Sequence, residues 1–203
     1  NIPVPEADLA KTPEEAGVIA DRIGYPIVLK IVSPDIIHKS DVGGVIVGLD
    51  NRESVIEGAK RIFSNVTEKA PHARIYGVLV QKMVPYGLEV IVGGIRDEMF
   101  GPVVMFGLGG IFVEVLRDVS FRITPVYYND ALEMINEIKS AKILEGYRSQ
   151  PPVSKHALAE IIVNVSRLLL ENPEIHSIDL IPIMAFSDKA VVADARIIIR
   201  QTR

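Results

Sequence analysis

The sequence has no cysteine and no tryptophan, and aromatic residues make up only 6% of it. Without thiols it can form neither disulfides nor thiolate metal sites. Nothing in it suggests a secreted, bridge-stapled scaffold, so a cytoplasmic location is expected. Long apolar runs are missing too: Gly, Pro or a charged residue interrupts each one well short of membrane-spanning length, and no basic-then-apolar leader opens the chain. A membrane is therefore not an expected partner. Nor is nucleic acid, because a formal net charge of -4 supplies no global basic field. The patterns GxxxxGK[ST] and GxGxxG are both absent, which removes a Walker-type phosphate loop and a dinucleotide Rossmann fingerprint. No internal repeat or low-complexity segment occurs. The chain opens on Asn1 rather than Met and is read as lacking its start or as cut from a longer protein.

What is present is a hydrophobic content of 48% over 203 residues, enough for a sizeable core in one two-lobed unit or two small domains. After a Pro-punctuated start, the run TPEEAGVIADRIG predicts a helix. Thr12 is a natural N-cap, Pro13 suits the first helical position, Glu15 completes a capping box, and Gly24 suits the left-handed C-terminal position. Ile27 to Val32 reads as a buried strand with Val45 to Leu49 as its partner. From Asn51 to Ala70, the residues Val55, Ile56, Ala59, Ile62 and Phe63 recur at helical spacing. Arg74 to Val84 and Leu88 to Ile95 are β-rich runs joined by the turn signal Pro85-Tyr86-Gly87. Phe100 to Phe106 leads as a strand into Gly107-Leu108-Gly109-Gly110 and then the alternating run IFVEVLRDVSFRI. Asn129 is expected to cap a helix lined by Leu132, Ile135 and Ile138, and Ser154 a longer one through Leu170. Ile175 to Phe186 and Ala190 to Ile199 then close the chain as strands about the Ser187-Asp188-Lys189 turn. The pattern is α+β, with a small N-terminal lobe over 1–84, a hinge, and a larger lobe over 85–203.

Pro26 to Gly48 holds the densest set of chemical candidates. Lys30 sits at the end of an apolar strand, where a lysine either snorkels to solvent or serves as a phosphate ligand. Gly43 and Gly44 follow closely and could bring backbone amides to the same anion. Between them His38, next to Lys39, is either a solvated loop histidine or a nucleophile that accepts a phosphoryl group. Gly107 to Gly110 is either a tight packing turn or part of a nucleotide site. Glu114, Asp179 and Asp194 lie in apolar surroundings; they either pair with Arg117, Arg122 or Arg196 or offer hard oxygens to Mg²⁺ held with nucleotide phosphates. Gln81, Lys82 and Met83 end the strand before the hinge and Glu89 opens the one after it, positions from which a base edge and ribose hydroxyls can be met.

In this order the pieces resemble an ATP-grasp domain, specifically the nucleotide-binding β subunit or fused domain of ADP-forming acyl-CoA synthetases of the acetyl-CoA synthetase type. The resemblance spans nearly the whole chain. Its specific stretches are SPDIIHKSDVGGV, VQKMVPYGLEVIVGGIRDEMFGPVVMFGLGGIFVEVLRDVSFRITP, and SIDLIPI followed by VVADARI. It implies an ATP-grasp fold with the nucleotide cleft between two α+β lobes, ATP/ADP and Mg²⁺ as cofactors, and a CoA-binding α subunit or fused domain as partner in a hetero-oligomer. The reaction implied is acyl-CoA + ADP + phosphate ⇌ acid + CoA + ATP. By the same resemblance Lys30, Lys39, Gly43 and Gly44 fall on the phosphate-binding positions, Gln81, Lys82 and Met83 on the adenine hinge, and Glu89 on the ribose carboxylate. His38 falls on a transiently phosphorylated loop histidine, Asp179 on the acid that stabilises it, and Asp194, with Glu114, on metal ligands.

One departure is visible. Where the family has Asn two residues after the acidic position and uses it for Mg²⁺, this chain has Ile181, which offers no oxygen. It keeps a rival open, a non-catalytic module that senses ADP or ATP. A second rival is an ATP-grasp carboxylate ligase working through an acyl phosphate, against which His38 stands.

Overall fold

In the computed structural model, which describes residues 2–110, 118–146 and 151–200, the chain separates into two units. One is Pro5–Met83, and the other is Val84–Arg203 together with Asn1–Val4. Every strand pairing in both is antiparallel.

The Pro5–Met83 unit runs β1 (Ala7–Ala10), α1 (Pro13–Ile23), β2 (Ile27–Val32), β3 (Val45–Leu49), α2 (Arg52–Lys69) and β4 (Gly77–Lys82). Its sheet has the order β1-β4-β2-β3. Alternation along β2 and β4 sends Ile27, Leu29, Ile31, Val78 and Val80 to one core with Ala16, Ala20, Val55, Ala59, Ile62 and Val66 of the helices. Thr12 caps α1 by accepting from the Glu15 N–H at 3.2 Å. The Glu15 carboxylate, however, accepts from Lys11 rather than from Thr12, so the expected capping box is displaced by one residue. Asn51 and Ser54 form a reciprocal box on α2. β1 lies in the Pro-punctuated start, to which the sequence assigned no element: alone it has little β character, and it is a strand because its residues pair with β4.

The second unit runs β5 (Leu88–Asp97), β6 (Gly101–Leu108), β7 (Val119–Ile123), α3 (Tyr128–Glu137), α4 (Ala141–Leu144), α5 (Lys155–Glu171), β8 (Ile175–Ala185), β9 (Ala190–Val192) and β10 (Ala195–Ile199). The sheet order is β10-β8-β5-β6-β7, with β9 also on β8. Val90, Val92, Val104, Phe106, Ile178 and Leu180 of the sheet meet Met134, Ile135, Leu158, Ile161, Ile162 and Val165 of α3 and α5 in its core. Ser154 caps α5 as expected. Asn129 does not cap α3: the helix already starts at Tyr128, and the Asp130 carboxylate accepts from the Tyr127 N–H at 2.9 Å. The closing strand is two strands rather than one. β8 runs on through Pro182, which has no N–H to give the ladder, and opposite it the partner breaks between β9 and β10, where Ala193 N–H donates to the Pro182 carbonyl at 2.9 Å.

α5 ends without a basic residue in its last turn. Arg96 of β5 supplies one from outside, donating to the carbonyls of Leu169 at 2.5 Å, Asn172 at 3.3 Å and Ile175 at 3.3 Å. Arg96→Ala leaves part-buried carbonyls without a cation. A stability loss of about 1.5–3 kcal/mol is expected from the lost charge-assisted bonds, read as a lowered denaturant midpoint. A midpoint equal to the wild type would show that water replaces the guanidinium.

Candidate functional site

Register decides which candidates meet in the Pro5–Met83 unit. Lys30 stands opposite Leu79, and Val28 opposite Gln81. All four point to the sheet face away from α1 and α2, since their neighbours in the strands fill the helix-facing core. Lys30 is 8% exposed and Gln81 6%, so Lys30 does not snorkel into solvent. A buried ammonium and a buried carboxamide on one face form a polar patch of the kind seldom found without a polar role. The end of β4 is tied down beside it. Met83 N–H donates to Pro26 O at 3.0 Å, Lys82 N–H to Glu6 O at 2.8 Å, and the Lys82 ammonium to Tyr25 O.

Beyond β2, residues 33–44 form a loop held at both ends. At its start, Tyr76 N–H donates to Val32 O at 2.8 Å, and Ile36 is buried in the core with α2. The Asp35 carboxylate accepts three bonds from Arg74: from the backbone N–H at 2.8 Å, Nε at 3.0 Å and Nη2 at 2.8 Å. Those bonds, the guanidinium's foremost, hold the Asp35 carboxyl down at about 2. The pairing is complete above the ordinary value of 3.8 and is lost only as pH falls through about 2. At the far end, Asn65 Nδ2 donates to Gly43 O at 3.2 Å, Ile31 N–H to Gly44 O at 2.7 Å, and Gly44 N–H to Lys39 O at 2.8 Å. His38 is exposed on the turn between, its carbonyl accepting from Asp41 N–H at 3.2 Å. The glycine pair has a structural cause in addition to any anion. Gly43 has φ +66°, and a Cβ on Gly44 would stand 2.5 Å from Ile31 Cγ2.

In the other unit, Glu89 and Asp179 project from the sheet face away from α3 and α5, Asp179 directly opposite Gly93 and Arg196. Gly93 leaves a gap in the row Asp179, Gly93, Met105, Phe121, and a cavity of about 490 Å³ lies over it. Ile181 is on the same face, 42% exposed, and donates its N–H to Asp194 O at 3.2 Å. The Gly107–Gly110 turn packs against β5: Gly109 N–H donates to Glu89 O at 2.7 Å, and Cβ atoms on Gly109 and Gly110 would crowd Glu89. Glu114 lies outside the described residues. Among those described, no three His, Asp or Glu side chains gather as a metal site, and no helix is long and apolar enough to cross a membrane.

Three residues that hold this architecture were not singled out in the sequence: Asp35, Arg74 and Asn65. Ser33-Pro34-Asp35 carries a turn signal, but nothing local points to a partner 39 residues further on.

A profile of the ATP-grasp domain family matches residues 1–199. The β subunit of acetate–CoA ligase (ADP-forming) I from Pyrococcus furiosus is 54% identical over 198 residues, which is 98% of this chain and 85% of that protein. An acetyl-coenzyme A synthetase 1 of Ca. Korarchaeum cryptofilum, solved with coenzyme A and Ca-AMPCP, superposes with a TM-score of 0.96 at 49% identity, covering 98% of this chain and 87% of that one. The same synthetase with coenzyme A and Mg-AMPPCP, its phosphohistidine segment pointing towards the nucleotide binding site, gives 0.86 at 45%, with coverage of 98% and 86%. A single-chain acetate–CoA ligase (ADP-forming) I of Archaeoglobus fulgidus is 50% identical over 192 residues, 94% of this chain and 28% of that protein. Matched along nearly its whole length in both sequence and backbone, the chain belongs to the ATP-grasp family, in the group whose members are β subunits or fused domains of ADP-forming acetate–CoA ligases.

Proposed function

We propose that this chain is the nucleotide-binding, phosphoryl-transfer subunit of an ADP-forming acyl-CoA synthetase. It would act with a CoA-binding α subunit or domain in acyl-CoA + ADP + phosphate ⇌ acid + CoA + ATP. The observation that carries the proposal is an exposed histidine on a doubly anchored loop that leaves the strand of a buried lysine, in a chain 54% identical to a β subunit of this activity.

In the direction of ATP synthesis a ring nitrogen of His38 attacks phosphorus on the partner's phosphoryl donor. An N–P bond forms as the donor's bond to phosphorus breaks. A terminal oxygen of ADP then attacks the same phosphorus, an O–P bond forms, the N–P bond breaks, and the imidazole returns to its first state. Lys30, Lys39 and the amides of Gly43 and Gly44 are assigned to the nucleotide phosphates, Gln81 and Met83 to the base, and Glu89 to the ribose. The Lys82 ammonium is engaged by Tyr25 O, which gives it a supporting place behind the hinge. Asp179 is assigned to the phosphohistidine. The two units, taken as lobes over 1–84 and 85–203, would each supply part of this set, and a cytoplasmic site of action suits a chain without cysteine.

Magnesium fits the residues present in a limited way. Asp194 is a half-buried carboxylate, and Mg²⁺ arriving with a nucleotide needs only one or two such groups beside phosphate and water. When bound, the ion would neutralise phosphate charge. Ile181 adds no oxygen there, so Ile181→Asn is expected to lower the Mg²⁺ concentration for half-maximal activity by about 10-fold, the lower end of what a changed metal environment does to affinity. An unchanged requirement would mean that position 181 does not border the ion.

The decisive test is reconstitution: this chain with a CoA-binding α subunit, acetyl-CoA, ADP, phosphate and Mg²⁺, followed for ATP. Ile181 favours one other reading, a nucleotide sensor. It predicts ADP or ATP binding with little Mg²⁺ dependence and no turnover with any partner.

A further inference from the structure

We infer that Arg74 is a positioning residue for His38, fixing through Asp35 the pivot from which the histidine works. This deepens the proposed relay and rests on it. Arg74 lies in the segment between α2 and β4, far in sequence from the loop, and is not itself assigned to nucleotide or metal. What it does touch is the residue three before His38, through a two-pronged guanidinium–carboxylate pair and a backbone bond to the same carboxylate. A lone surface ion pair would constrain little, but a bidentate pair with a third bond has the geometry that does. Two further ties act at the same place, the Tyr76–Val32 backbone bond and the burial of Ile36.

The consequence is a short tether. Each residue adds at most about 3.6 Å of reach, so with Ile36 held the His38 Cα stays within about 7 Å of the Ile36 Cα. The far anchor shortens the tether from the other side, because Gly44 N–H donates to Lys39 O, one residue beyond His38, at 2.8 Å. His38 therefore exchanges phosphate within a small arc, and both donor and acceptor must come inside it while the clamp is closed. Freeing the pivot would enlarge the volume the imidazole explores and reduce the fraction of time it spends near phosphorus.

The test uses the full chain with γ-labelled ATP and Mg²⁺, alone and with the CoA-binding subunit. In Arg74→Ala, labelling of His38 at saturating ATP is expected to slow about 10- to 100-fold, while the dissociation constant for ADP stays within about twofold. Arg74→Lys should fall between, because an ammonium supplies a point charge but not the fork. Hydrogen exchange at the Asp41, Gly43 and Gly44 amides should quicken in the alanine variant. If Arg74→Ala does not fold, Asp35→Asn, which keeps an acceptor for the Arg74 backbone N–H, takes its place. A labelling rate equal to the wild type, or a loss confined to the KM for ATP, would overturn the inference. Absence of label from the wild-type chain would overturn the relay instead. In that case the exchange measurement decides the clamp by itself, and unchanged exchange would refute it.

Discussion

Replacing His38 with alanine is expected to abolish phosphate labelling of this chain and to lower turnover with the α subunit by on the order of 10³-fold or more, the scale of losing a nucleophile. Nucleotide binding and folding should be unaffected. The side chain is exposed, so its removal leaves no cavity and no buried polar group. The backbone at this position takes part in the turn through its carbonyl, which alanine keeps. The measurement is acid-labile label per chain after incubation with γ-labelled ATP and Mg²⁺, with ADP affinity by calorimetry as control. The chain has four histidines, and mapping the label separates them. Label retained in His38→Ala, or found on His72, His156 or His176 in the wild type, would sink the relay.

Lys30→Met should weaken ADP and ATP binding about 10- to 100-fold, the equivalent of losing charge-assisted bonds of roughly 1.5–3 kcal/mol. Methionine retains most of the stem that packs between Leu79 and Val45 on the neighbouring strands, so the change removes the charge while leaving the packing. Thermal melting of the same variant shows whether the fold holds, so that the lost affinity can be read as the loss of the charge. A simple structural lysine predicts a different result, unchanged affinity with lowered stability. That outcome would take Lys30 out of the site.

Much of the architecture was legible because it is local. Thr12, Asn51 and Ser154 each present a cap immediately before a helical period, and all three helices begin there. β2 and β3 lie where their apolar, β-branched runs predicted them. The misplaced details are of the opposite kind. Asn129 and Asp130 are adjacent and both can cap, and only the closed turn shows that Asp130 serves Tyr127. β1 carries no strand signal of its own. For Lys30, the run IVLKIV is continuous rather than alternating, so periodicity could not say which face the lysine takes; its pairing with β4 and β3 decided that.

The sequence by itself determined the chemical inventory, the α+β alternation and the family, because caps, turns, side-chain types and strings of shared residues are properties of short stretches. The tertiary structure alone decided which of those residues share a face and what restrains them: Lys30 with Gln81, Asp179 over the gap at Gly93, Arg96 on the end of α5, and Arg74 on Asp35. The reason is physical. Antiparallel register and side-chain-to-backbone bonds across dozens of residues are set by the packing of the whole sheet and its helices, so no window along the chain contains them.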